Sequence, residues 1–199
     1  MADEMSNNTV KALFLDRDGI INVDHGYVYK QDNFEFKKGI FQLCQQAQKK
    51  GYIIIVITNQ SGIARGYYSE QDFLALTQWM MDEFMKKGIT ISDTFYCPHH
   101  PTVKQEGNDL DKYRKECSCR KPKADLIFSA EKKYHINLAE SIFIGDKYSD
   151  MEAAKIAMIP TRLLINSQYL ADSSNKKTNS QNLSTEMYEN LEQATIYLR

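Results

Sequence analysis

Short apolar runs alternating with longer amphipathic stretches set the rhythm of this chain. Lys11 to Leu15, Tyr52 to Ile57, Ile142 to Ile144 and Arg162 to Ile165 are brief and strongly apolar, the pattern of strands buried on both faces. Between them, Lys38 to Lys50, Glu70 to Lys87, Ala124 to Tyr134 and Asp150 to Ile156 place apolar residues at helical spacing. Strands alternating with helices predict an α/β fold with a doubly wound parallel sheet. Trp79, Met80 and Phe84, with Phe73 and Leu76, make a packing stripe, and Cys44 reads as a small core residue inside a helix. Residues 1–9 read as a flexible start, and 10–199 as one domain. Asn166 to Ser184 is polar and reads as an exposed connection, after which Met187 to Leu198 is expected to form a final helix.

Chemistry gathers where the apolar runs stop. The first ends at Asp16-Arg17-Asp18-Gly19, the second at Thr58-Asn59-Gln60-Ser61, and the third at Gly145-Asp146-Lys147. Arg120-Lys121-Pro122 is expected to open a helix, since proline suits a first helical turn. In an open α/β sheet the carboxyl edge binds ligands, so these distant residues can converge on one site. Two carboxylates one residue apart in such a crevice repel each other unless a cation or a shared proton intervenes. An Asp-rich turn capping the strand would look the same in isolation. An EF-hand loop is excluded, because its glycine and its terminal glutamate would fall at Ile21 and Tyr27.

Composition narrows the class. The chain has 199 residues, 42% hydrophobic and 26% charged, enough for one domain with a sizeable core. A net charge of -1 gives no basis for nucleic-acid or membrane attraction, and the polar, acidic start lacks the marks of a signal peptide. The expected setting is the cytoplasm, as a monomer, where cysteines stay reduced and available as ligands.

A second constellation uses those cysteines. Cys97-Pro98-His99-His100 and Cys117-Ser118-Cys119 supply three thiols and an imidazole, enough to close a tetrahedral zinc shell. With no vacant position, such a site is structural. Cys97, His99, Cys117 and Cys119 are the expected ligands, stapling the polar loop of residues 97–119. His100 is left solvated or facing the site.

From Lys11 to about Asn166 the chain resembles the haloacid dehalogenase (HAD) superfamily of aspartate-nucleophile phosphatases. The carriers are Asp16-Arg17-Asp18-Gly19, Asp24-His25-Gly26-Tyr27, Thr58-Asn59-Gln60-Ser61-Gly62-Ile63-Ala64-Arg65-Gly66, Cys97-Pro98-His99-His100, Cys119-Arg120-Lys121-Pro122 and Asp146-Lys147. Ile20 departs from it, where the superfamily usually has threonine. The resemblance implies a HAD-like fold with a short flap and a zinc loop but no large cap, acting on a small-molecule sugar bisphosphate. It implies magnesium held by Asp16, the Asp18 carbonyl and Asp146, with Lys147 adjacent but not a ligand. It implies Asp16 as nucleophile, Asp18 as acid and base, Thr58 and Lys121 on the phosphoryl group, and Arg120 as a further catalytic-site residue suited, like Arg65, to a second phosphate or sugar hydroxyls. Asp24, His25, Gly26, Tyr27, Asn59, Gln60, Ser61, Arg65, Arg120 and Lys121 are then the expected substrate contacts. Zinc-bearing histidinol-phosphate phosphatases share the Asp-x-Asp, Thr-Asn-Gln and Cys-x-Cys-Arg-Lys-Pro elements, whereas the flap and Gly62 to Gly66 argue against them. A response-regulator receiver also presents Asp, Thr and Lys at strand ends, but has no use for Asp18 or a zinc loop.

Overall fold

The computed structural model describes residues 9–101, 109–165, 186–188 and 190–199. Six strands form one parallel sheet: β1 (Lys11–Leu15), β2 (Tyr52–Asn59), β3 (Ile91–Cys97), β4 (Ile142–Gly145), β5 (Thr161–Ile165) and β6 (Glu186–Tyr188), in the spatial order β3-β2-β1-β4-β5-β6. The order reverses between β1 and β4, so a crevice opens at their carboxyl ends. Strand alternation then divides the core. Leu13, Leu15, Ile54, Val56, Ile144 and Leu163 pack with helices α1 (Ile40–Lys49) and α3 (Glu70–Met85) on one face, the short α2 (Ser61–Arg65) leading from β2 towards α3. Ala12, Phe14, Ile55, Ile57, Phe143 and Leu164 pack with α4 (Asp125–Tyr134) and α5 (Tyr148–Ile156) on the other. Among the described residues, no helix is long and apolar enough to cross a membrane.

Four departures from the sequence reading have physical causes. β3 has no continuous apolar run, because as an edge strand it leaves Ser92 to Tyr96 only half-buried. β2 runs two residues past its apolar stretch, since Thr58 and Asn59 pair with Tyr96 and Cys97. The helix expected from Arg120-Lys121-Pro122 begins only at Asp125, and Lys121 sits in the preceding turn, across a cis bond to Pro122. Met187 to Leu198 is not one helix: β6 joins the sheet edge beside β5, Asn190 accepts a bond from the Gln193 N–H, and a short α6 (Leu191–Ala194) follows. The polar connection of 166–184 and residues 1–8 lie outside the described residues.

Beneath the crevice, Phe14 and Phe143 stack with ring centroids 6.1 Å apart, both fully buried. Phe143→Ala should remove a filled core position and lower unfolding stability by about 3–5 kcal/mol, read as a reduced urea midpoint with an unchanged slope. A loss below about 1 kcal/mol would mean that the sheet collapses around the gap.

Candidate active site

The catalytic candidates reach the crevice from beyond the ends of β1 and β4, from the end of β2, and from the turn that carries Lys121. Asp16 follows β1, with its N–H bonded to the Ile144 carbonyl of β4 at 3.0 Å. Asp146 follows β4, and Asp150 projects from the first turn of α5, where its Oδ2 accepts the Lys147 N–H at 3.0 Å. The ligand oxygens of Asp16, Asp146 and Asp150 all lie within 4.8 Å of one another, and all three residues are buried. Gly19 makes that closeness feasible. Its φ of +97° is left-handed, and a Cβ there would stand 2.2 Å from Asp146 Oδ2.

Lys121 completes this cluster from below. Its buried ammonium donates to Asp16 Oδ1 at 2.8 Å and the Ile57 carbonyl at 2.7 Å, and pairs with Asp150 Oδ1 at 2.7 Å. Asn59 places it: its Nδ2 donates to the Lys121 carbonyl at 3.1 Å, and its Oδ1 accepts the Lys121 N–H at 3.0 Å. Burial alone would pull Lys121 down, yet Asp150 and Asp16 outweigh it and hold the ammonium above its ordinary range. Burial and neighbouring negative charge push Asp16 up and Asp146 well up. Crowded hard oxygens whose protonated forms are favoured in this way fit a magnesium ion, which would restore their charge.

Asp18 is held differently. Its Oδ1 accepts from Arg17 Nη2 at 2.9 Å and Asn22 Nδ2 at 3.2 Å, and its Oδ2 from Arg17 Nε at 3.1 Å and Gln60 Nε2 at 3.0 Å. Burial raises its carboxyl, but the Arg17 charge and these bonds prevail and hold it below the usual range. Gln60 also donates to Thr58 Oγ1 at 2.8 Å, leaving the Thr58 hydroxyl hydrogen to point elsewhere, and its own Oε1 accepts the Tyr68 hydroxyl at 2.6 Å.

Above the cluster opens a cleft of about 390 Å³, lined by Asp18, Asp24, Gly26, Tyr27, Asn59, Gln60, Ser61, Tyr68, Arg120, Lys121, Lys147 and Ser149. Lys147 Nζ reaches flap residue Asp24 at 3.2 Å, tying the flap to the β4 end. Two expected substrate contacts lie off the cleft. His25 faces Glu35 at 3.4 Å, and Arg65 lies behind Tyr27, 6.0 Å from its ring, with Nη2 3.2 Å from His100 Nε2. Asn59 and Gln60 line the wall, but their amides serve Lys121, Asp18 and Thr58. Sequence reasoning assigned no role to Tyr68 or Ser149, which carry no motif signal, and gave Asp150 only a supporting place, though Asp146 and Asp150 are only four residues apart.

Next to the cleft, Cys97, His99, Cys117 and Cys119 converge. Cys119 Sγ lies 3.0 Å and Cys117 Sγ 3.5 Å from Cys97 Sγ, with His99 Nδ1 3.2 Å from Cys119 Sγ and 3.7 Å from Cys97 Sγ. Metal–sulfur bonds of about 2.3 Å put tetrahedral ligands roughly 3.5–3.8 Å apart, so the two shorter separations would have to open by a few tenths of an ångström, and a set of three thiols and an imidazole this close together fits zinc by its donor chemistry. The loop docks on the body of the fold: Tyr113 donates to Glu70 at 2.7 Å, Arg114 Nε to the Ala64 carbonyl at 3.1 Å, and Arg120 Nη1 to the His99 carbonyl at 3.3 Å.

Known proteins resemble this chain in sequence and in fold. A family profile described as "Polynucleotide kinase 3 phosphatase" matches residues 12–185. The D-glycero-beta-D-manno-heptose-1,7-bisphosphate 7-phosphatase of Vibrio cholerae serotype O1 is 45% identical over 154 residues, 77% of this chain and 80% of its own. The protein of the same name from Haemophilus ducreyi is 46% identical over 158 residues, 78% of this chain and 82% of its own. Among solved structures, D,D-heptose 1,7-bisphosphate phosphatase from B. bronchiseptica, complexed with magnesium and phosphate, matches with a TM-score of 0.74 at 27% identity, covering 94% of this chain and 97% of its own. A HAD-like phosphatase of Mesorhizobium loti matches with a TM-score of 0.72 at 30% identity, covering 80% of this chain and 74% of its own. With identity of this order across four-fifths of the relatives' own length, the chain belongs to the family of D-glycero-beta-D-manno-heptose-1,7-bisphosphate 7-phosphatases, with a HAD-like fold.

Proposed function

We propose that this chain removes the 7-phosphate of D-glycero-D-manno-heptose 1,7-bisphosphate through an aspartyl-phosphate on Asp16, leaving heptose 1-phosphate for ADP- or GDP-heptose synthesis. The observation that supports it most is the Lys121 ammonium set between Asp16 and Asp150 at the floor of the cleft. Asp16 attacks phosphorus, the bond to the sugar oxygen breaks, and Asp18 gives that oxygen its proton. A water then attacks the aspartyl-phosphate, its proton passes to Asp18, and the Asp16 carboxylate is released. The phosphate dianion disfavours a second charge on Asp18, so the proton held there accompanies substrate binding. Thr58 donates to an equatorial oxygen, and Lys121 offsets its charge. Asp16, the Asp18 carbonyl and Asp146, with Asp150 close behind, would hold magnesium, which would supply charge neutralisation when bound. Zinc on Cys97, His99, Cys117 and Cys119 is structural, and free thiols as ligands suit the cytoplasm.

Phosphorus NMR tests the reading. The wild-type protein with magnesium should lose the 7-phosphate signal and retain the 1-phosphate, while Asp16→Asn releases nothing yet keeps its fold and zinc content. Release of the 1-phosphate, or faster turnover of histidinol phosphate or a 3′-phosphorylated oligonucleotide, would overturn the substrate assignment.

Arg120 lines the cleft without touching the carboxylate cluster, so it is placed to hold the far end of a bisphosphate. Arg120→Ala should raise KM for the bisphosphate by about tenfold or more, the loss of one charged hydrogen bond. For p-nitrophenyl phosphate, which has no far end, KM should stay within about twofold. Equal changes for both substrates would remove Arg120 from recognition.

Zinc should be separable from catalysis. Chelating it should open residues 97–119 to proteases and raise KM through Arg120, whereas removing magnesium should stop turnover with little change in melting temperature. Protein purified without chelator and found free of zinc would contradict the assignment.

A further inference from the structure

Arg17, between the two catalytic aspartates, is the largest fully buried side chain among the described residues. Its guanidinium is 1% exposed, lies 5.5 Å from the Phe73 ring, and meets the Asp18 carboxylate with two parallel bonds, Nε to Oδ2 at 3.1 Å and Nη2 to Oδ1 at 2.9 Å. Nη2 also donates to the Val28 carbonyl at 2.8 Å, where the flap rejoins the body. Nη1 is buried and meets no acceptor among the described residues. An apolar side chain of this volume would serve the core at least as well, because a buried ion pair seldom stabilises more than the hydrophobic contacts it displaces. The two-pronged contact instead fixes the plane and position of one carboxylate, which a single donor cannot do.

We infer that Arg17 is a positioning residue, holding the Asp18 carboxyl against the cleft so that one oxygen meets the leaving oxygen of the sugar. The inference rests on the proposed role of Asp18 as acid and base. Asp18 is 14% exposed and lines the cleft wall, so its plane sets the direction of proton transfer. The other two donors, Asn22 and Gln60, are neutral amides and yield more readily than the guanidinium when substrate arrives. Arg17 therefore remains the fixed anchor. By also holding the Val28 carbonyl, it keeps that anchor in register with the flap.

Leaving groups separate positioning from mere structural support. The alkoxide of a sugar must be protonated as it departs, whereas p-nitrophenolate leaves without a proton, so a misdirected Asp18 harms only the first. In kcat/KM, which reports the step forming the aspartyl-phosphate, Arg17→Lys should lose about 100-fold on the heptose bisphosphate. On p-nitrophenyl phosphate the loss should stay within about threefold. Lysine keeps the charge but not the fork. Arg17→Met, which keeps the volume, should show the same split, and p-nitrophenyl phosphate turnover itself certifies that either variant is folded. Asp18→Asn, measured alongside, should show the split more strongly. If Asp18→Asn reduces both substrates alike, the acid and base role falls. If Asp18→Asn splits them while the Arg17 variants reduce both alike, the positioning role alone is overturned.

Discussion

Everything at the crevice follows from placing carboxylates where water is scarce. Asp16, Asp146 and Asp150 gather within a few ångströms beyond the ends of β1 and β4, and burial with neighbouring negative charge pushes the Asp16 and Asp146 carboxyls up. Lys121 answers part of that demand. It sits 2% exposed between Asp16 and Asp150, and the attraction of the pair keeps it charged against the pull of burial. Lys147, 3.9 Å from Asp146 and 3.2 Å from Asp24, adds a second ammonium, and two ammoniums against four carboxylates still leave the site short of positive charge, the condition under which a divalent cation and then a phosphate are drawn in. Removing Lys121 would strand buried charge, a change of the kind that destabilises by about 3–5 kcal/mol.

Beside the Arg17 fork, positioning in this site is done by neutral amides rather than by more charge. Asn59 clamps the backbone of Lys121 with both its amide atoms, although the two are 62 residues apart in sequence. Gln60, oriented by Tyr68, serves Thr58 and Asp18 at once. Gly62 admits that tyrosine: a Cβ there would lie 2.2 Å from its ring. Neutral donors of this kind hold geometry without adding to the electrostatic imbalance, and they are satisfied internally, so the cleft surface left to the substrate consists mainly of the flap, Ser61, Arg120 and Lys147.

The cysteine loop has few apolar residues with which to order itself. It is joined to the body by Tyr113 on Glu70, Arg114 on the Ala64 carbonyl, and the short step from Cys119 to Arg120 and Lys121. A staple at the thiols therefore bears on both the cleft rim and the cleft floor. His100 extends the same link to Arg65 and, behind the flap, to Tyr27.

The sequence by itself determined the alternation of strands and helices, the parallel sheet, and the residues at the strand ends, because two-sided burial demands continuous apolar runs whose ends are abrupt. It also determined the thiol and imidazole set, since few other environments would gather three cysteines and a histidine in a polar stretch. Edge strands β3 and β6 were not legible, because half-buried or brief strands need no apolar run and owe their form to the neighbour they pair with. Nor was it legible that Asn59 would serve Lys121, that His25 would turn to Glu35, or that Arg17 would face Asp18. A polar side chain's partner depends on which distant segments the fold brings within about 3 Å, and that distance is decided only when the sheet closes and the loops are laid across it.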